Sequence, residues 1–198
     1  LENRDCNRNG VPDACDASSG ASLDCNRNGT PDECDVRNIL VFPAPVTYTV
    51  EQSPFSIPVA DLDGDGDTDV ATANRGSGSV SVLMNRGKGE LIAPVSYAAG
   101  ISPQAMQAVD LDGDGAVDLV AANRGSNDLS LFFNRGGGLF GDAVSLATGA
   151  SPISIAAGDL DGDGDTDLAV ASFGSASVSI LRNQGGRVFA AASPVPVG

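Results

Sequence analysis

From Phe42 onward the chain repeats itself every 49 residues. Phe42, Leu91, Phe140 and Phe189 correspond, as do Ser53-Pro54, Ser102-Pro103 and Ser151-Pro152. Asp61, Asp110 and Asp159 each open an aspartate-rich loop, followed by an apolar run ("DVATAN", "DLVAAN", "DLAVAS") and a Gly/Ser turn. An alternating run ("SVSVLMN", "DLSLFFN", "SVSILRN") and an "NRG"-like turn complete the unit. A period near fifty residues with about four strand-like stretches is the pattern of β-propeller blades.

Composition agrees with that reading. Hydrophobic residues make up 41% of the 198, in short runs punctuated by 25 glycines and 11 prolines. No long segment has helical periodicity, so the chain reads as all-β. The pattern "SP…DLDGDGDTDV…A" followed by "SVSVLMNRGKG" resembles the FG-GAP/VCBS repeat of integrin-α-type β-propellers. The resemblance covers residues 42 to 198 in three copies and implies propeller-type blades whose loops bind calcium between two strands. The expected organisation is a calcium-loop segment over 1–38 and a three-blade domain over 39–198.

The net charge is −15, and twenty of the 26 acidic residues are aspartates gathered in five small clusters. Clustering of that kind points to local cation sites, since calcium takes six to eight oxygen ligands from a backbone that can curl around it. In the first loop Asp61, Asp63 and Asp65 take positions 1, 3 and 5, Asp69 closes the site at position 9, and Asp67 offers only its carbonyl. The second loop supplies Asp110, Asp112, Asp114 and Asp118, with Ala116 as the carbonyl donor. The third supplies Asp159, Asp161, Asp163 and Asp167, with Asp165 in the carbonyl place. These are not EF-hands, because position 12 is Thr72, Ala121 or Val170 inside a strand rather than a glutamate. The expectation is about three calcium ions in the blades.

The N-terminal part repeats with a period of 19: "DCNRNGVPDACD" at 5–16 and "DCNRNGTPDECD" at 24–35. These stretches are similar to dockerin and thrombospondin type 3 calcium loops. Asp5, Asn7, Asn9, the Val11 carbonyl, Asp13 and Asp16 would form one site. Asp24, Asn26, Asn28, the Thr30 carbonyl, Asp32 and Asp35 would form the other, giving up to two further ions. All four cysteines lie here, and their spacing with no histidine in the chain favours disulfides over zinc. Pairing of Cys6 with Cys15 and Cys25 with Cys34 makes each repeat self-contained, while cross-repeat pairing stays open. Five calcium ions would bring the charge from −15 to about −5, ordinary for a small soluble domain.

The chain lacks histidine, the usual general base, and its aspartates are taken as ligands, so no catalysis is expected. Without a basic stripe, nucleic acid is not an expected partner, and no run is apolar enough to span a membrane. The Arg-Gly pairs at 75–76, 86–87, 124–125 and 135–136 read as turn chemistry.

The opening strand of the repeat occurs four times, at 42–51, 91–100, 140–149 and 189–198, but only three copies precede a calcium loop. The last copy is therefore expected to be surplus. It would either close the chain's own first blade or be donated to another chain, with Phe189, Val195 and Val197 as anchors. The expected protein is an extracellular, secreted or cell-surface calcium-binding structural protein. It would self-associate as a homo-oligomer or homopolymer, as the protomer of a filament or surface layer. The alternative is an adhesion or carbohydrate-binding propeller module of a larger cell-surface protein, with a surface protein or glycan as partner.

Overall fold

Runs such as Leu119-Val120-Ala121-Ala122 are apolar at every position, so a strand formed from them must be covered on both faces. The computed structural model describes residues 44–190 and 192–196, and within it these runs are the central strands of three antiparallel sheets. In sheet 1, β1 (Pro54–Ser56), β3 (Asp69–Asn74), β4 (Ser79–Leu83) and β5 (Val95–Ala98) lie side by side. The short β2 (Val59–Ala60) also pairs with β3. Sheet 2 contains β6 (Pro103–Val109), β7 (Asp118–Asn123), β8 (Asp128–Phe132) and β9 (Val144–Ala147) in that order. Sheet 3 contains β10 (Pro152–Gly158), β11 (Asp167–Ser172), β12 (Ser177–Leu181) and β13 (Ser193–Pro196). The one helical segment among the described residues is a 3-10 turn, Phe173–Ser175, and no helix there is long and apolar enough to cross a membrane.

Each sheet starts in the same way. Ser53, Ser102 and Ser151 hold left-handed backbones, with φ of 56°, 55° and 53°. The following proline opens the edge strand β1, β6 or β10, and a bulge after it shifts the register. The repeated Ser-Pro pair is thus a corner that turns the chain into a new sheet.

The three sheets form one compact unit, Tyr48–Gly198, joined by two packed clusters. Ala71, Ala73, Val80 and Val82 of sheet 1 meet Met106, Leu119, Ala121 and Phe132 of sheet 2. The opposite face of sheet 2, with Val120, Ala122, Leu129 and Leu131, meets Ile155, Leu168, Val170 and Leu181 of sheet 3. Alternate residues of β7 therefore serve different neighbours, which is why the run has no polar face. Neither cluster joins sheet 3 to sheet 1.

The last strand is not surplus. β13 pairs antiparallel with β12, Val178 opposite Val195 and Ile180 opposite Ser193, as β9 pairs with β8 and β5 with β4. Phe189 bridges Asn183 and packs against the core between sheets 2 and 3. The sequence repeat is cut one strand out of phase with the sheet, so the opening strand of each copy finishes the sheet before it. The copy without a sheet of its own is the first, whose described part from Ala44 to Glu51 forms no strand.

Candidate metal centres

Each aspartate loop joins β2, β6 or β10 to the strand it pairs with (β3, β7 or β11), and its first residue organises the curl. Asp61 accepts from the Gly64 N–H with Oδ1 at 2.7 Å and from the Gly66 N–H with Oδ2 at 3.0 Å. Asp110 does the same for Gly113 and Gly115, and Asp159 for Gly162 and Gly164. Gly64 and Gly66 have φ of 82° and 92°, where a side chain would be strained even though the space around them is open. Glycine is needed here for its backbone freedom.

The ninth position anchors the loop from below. Asp69, Asp118 and Asp167 are fully buried at 0% exposure. Asp118 accepts from the Leu111 N–H at 3.0 Å with one oxygen and from the Asn134 N–H at 2.7 Å with the other. Asp69 and Asp167 repeat both contacts with Leu62 and Asn85, and with Leu160 and Asn183. The carboxylate thus ties the start of the loop to the turn that follows the third strand of the same sheet.

Three carboxylates meet in each loop. Oxygens of Asp61, Asp63 and Asp69 all lie within 4.8 Å of one another, as do those of Asp110, Asp112 and Asp118 and those of Asp159, Asp161 and Asp167. Three all-oxygen clusters that could hold a metal ion are therefore present, and hard oxygen donors suit calcium or magnesium rather than a soft metal. The fifth-position aspartates stand outside these triads. Asp65, Asp114 and Asp163 each use Oδ1 to accept the N–H of the seventh residue, Asp67, Ala116 or Asp165, at 2.8 to 2.9 Å. The proposed N-terminal sites from Asp5 to Asp35, the disulfides of Cys6, Cys15, Cys25 and Cys34, and the boundary at residue 38 lie outside the described residues.

The triads are short of positive charge. Burial pushes the Asp118 carboxyl up to about 6, against the backbone donors of Asn134 and Leu111, with Asp112 and Asp114 adding to the rise. Desolvation raises Asp63 as well, helped by Asp65, Asp69 and Asp61. Desolvation and then Asp163 and Asp167 raise Asp161, with Arg182 pulling the other way. Groups in all three loops therefore hold protons more tightly than free aspartate does.

The turn asparagine positions the loops, a role that turn chemistry alone does not reveal. Asn134 donates from Nδ2 to the Leu62 carbonyl of the first loop at 2.7 Å and to the Val117 carbonyl of its own at 2.9 Å. Asn183 does the same to Leu111 and Thr166. Both are buried, and each stitches the loop of one sheet to the loop of the sheet before it. Asn85, half-buried, reaches only Thr68 at 3.0 Å among these carbonyls. Its recurrence at a fixed distance after each acidic loop was the available signal.

Comparison with known proteins bears on these repeats. No curated protein sequence matches. Seventeen solved chains do, among them the pore of a Photorhabdus luminescens Tc holotoxin, 23% identical with a TM-score of 0.44. That match covers 78% of this chain and 7% of the toxin chain, so the protein spans a small part of that relative's length. The family model for the FG-GAP-like repeat matches twice, over residues 61–121 and 110–170. Those two matches take in more than half of the chain and contain all three aspartate loops, and the protein belongs to the FG-GAP-like repeat family.

Proposed function

We propose that the chain is an extracellular, non-catalytic structural protein whose propeller-type blades are held by calcium and which self-associates. One observation carries the calcium reading. Three times over, three carboxylates converge within 4.8 Å, one of them wholly buried. Such a group without a counter-cation is unfavourable: desolvation first, and the neighbouring carboxylates after it, raise Asp63, Asp118 and Asp161. A bound calcium ion would supply two positive charges to each triad. Asp65, Asp114 and Asp163, with the carbonyls of Asp67, Ala116 and Asp165, are the remaining oxygen donors of each loop. The N-terminal loops at 5–16 and 24–35 would take up to two more ions, and paired cysteines there fit an oxidising compartment.

Self-association rests on the far face of sheet 3. Leu160 is 53% exposed, whereas its counterparts Leu62 and Leu111, each beneath the next sheet, are 3% and 1% exposed. Ala169, Ala171, Val178 and Ile180 lie on that same face and are only partly buried. A second copy stacking there would repeat the contact that sheets 1 and 2 already make, in a heterologous arrangement that gives rings or filaments. The test is the mass of the native particle by light scattering in calcium and in chelator. Particles larger than one chain in calcium support the reading. A monomer under both conditions rules self-association out and leaves the adhesion module in its place.

A further inference from the structure

Residues 89, 138 and 187 hold the same place in the three repeats, and they are glycine, glycine and arginine. All three have left-handed backbones, with φ of 76°, 67° and 74°. Glycine adopts that conformation freely, while arginine is disfavoured in it, which raises the question of what the Arg187 side chain adds.

Its contacts show what that is. Arg187 Nε lies 2.5 Å from Asp112 Oδ2, and Nη2 lies 3.8 Å from Asp114 Oδ2. The guanidinium carbon sits 4.7 Å from the Phe133 ring centroid, so the cation rests on an aromatic face while it points into the second loop. The Asp112 side chain is only 5% exposed and Arg187 46%, so water screens this pair from the arginine side alone, whereas both partners of the Arg182 pair below reach water. Among the described residues, the first loop receives no such group. At the matching place beside Asp63 stands Gly138, where any Cβ would collide with Met84. The third loop has Arg182 at 3.2 Å from Asp161, but that side chain is 55% exposed, and an ion pair at the rim contributes little.

We propose that Arg187 is a built-in counter-cation of the second loop, competing with calcium for Asp112, so that this loop fills only at higher calcium than the first. The inference rests on the calcium reading above and deepens it. Asp112 is one of the three converging carboxylates, and a guanidinium already paired with it must be displaced, or share it, when a metal enters. A cation already paired with the carboxylate repels an incoming metal ion and holds one of its oxygens, so binding must be stronger to displace it. Sheet 3 thereby controls the cation site of sheet 2.

The experiment is calcium titration of the full chain followed by hydrogen–deuterium exchange of the separate loop peptides. In the native chain the 61–69 peptide becomes protected at lower free calcium than the 110–118 peptide. Arg187→Gly, which places in this turn the residue its two counterparts carry, lowers the midpoint of 110–118 by roughly tenfold and leaves 61–69 where it was. Arg187→Gln, neutral but still able to cover Phe133, does the same and separates charge from packing. Calcium protection with no shift of 110–118 in either variant overturns the inference alone. Loops that never respond to calcium in any of the three proteins overturn the calcium reading, and this inference with it.

Discussion

Asn183 Nδ2 donates to the carbonyl of Leu111 at 2.6 Å, across 72 residues of chain and from one sheet to the next. The bond makes the second aspartate loop part of the interface between sheets 2 and 3, so the metal chemistry and the packing of the fold share residues.

Asn183→Ala removes that bond, a second to Thr166, and the oxygen that accepts from Gly185. Because the site is buried, the orphaned carbonyl of Leu111 finds no water, and the loss should be about 2–3 kcal/mol. Asn85→Ala, at a half-buried position with one of these carbonyl contacts, should cost about 1 kcal/mol or less. Urea unfolding of the two variants in calcium checks the order.

Among the aspartates of one loop, position decides the effect. Asp63→Ala removes a member of the converging triad, whereas Asp67 stands outside it. In saturating calcium, Asp63→Ala should lower the melting temperature by roughly 5 °C or more, and Asp67→Ala should leave it within about 2 °C. Equal losses in the two variants would count against the ligand assignment.

Acidity should act in opposite directions with and without metal. The unfolded chain releases the Asp118 proton near 3.8, while the folded metal-free chain holds it to about 6. Between those values the folded state binds more protons, so stability falls as pH rises through the window and stays lower above it. In chelator, the urea midpoint at about pH 4.5 should exceed that at about pH 7, and Asp118→Asn should reduce the difference. In saturating calcium the order should reverse, since ligand carboxylates must be deprotonated to bind.

Removal of residues 189–198 should damage sheet 3. It takes away β13, leaves β12 as a bare edge, and strips Phe189 from the core beneath. The truncated chain should lose β-structure by circular dichroism or aggregate on expression. A soluble, fully folded truncation would show that the fourth strand of this sheet is dispensable.

Much of this was legible in the residues. The 49-residue period, the strands "DVATAN", "DLVAAN" and "DLAVAS", and the three acidic loops appear where the repeats predict them. The phase of the sheets was not legible, because a period gives the spacing of strands but not which neighbour each one pairs with. The period alone would equally have allowed Phe189 to open a new sheet or to finish an old one. Ser81, Ser130 and Ser179 alternate with apolar residues like the wet face of a strand, yet all three are buried. Alternation marks a wet face only where the polar side chains have no partner within the protein. Ser130 and Ser179 instead accept from the Gly100 and Gly149 N–H groups, and Ser81 from the Asn74 amide. Within the loops, the aspartates at positions 5 and 9 are the same residue type. The path of the backbone draws Asp69 into the triad and leaves Asp65 bound to the Asp67 N–H.

If cations hold the aspartate triads together, the native chain must melt differently with and without a chelator. With three triads each binding in the native state alone, removal of calcium should lower the melting temperature by roughly 10 °C or more. Metal analysis of the calcium-loaded chain should find at least three ions per chain. An unchanged melting curve in chelator, with no metal bound, would contradict the account.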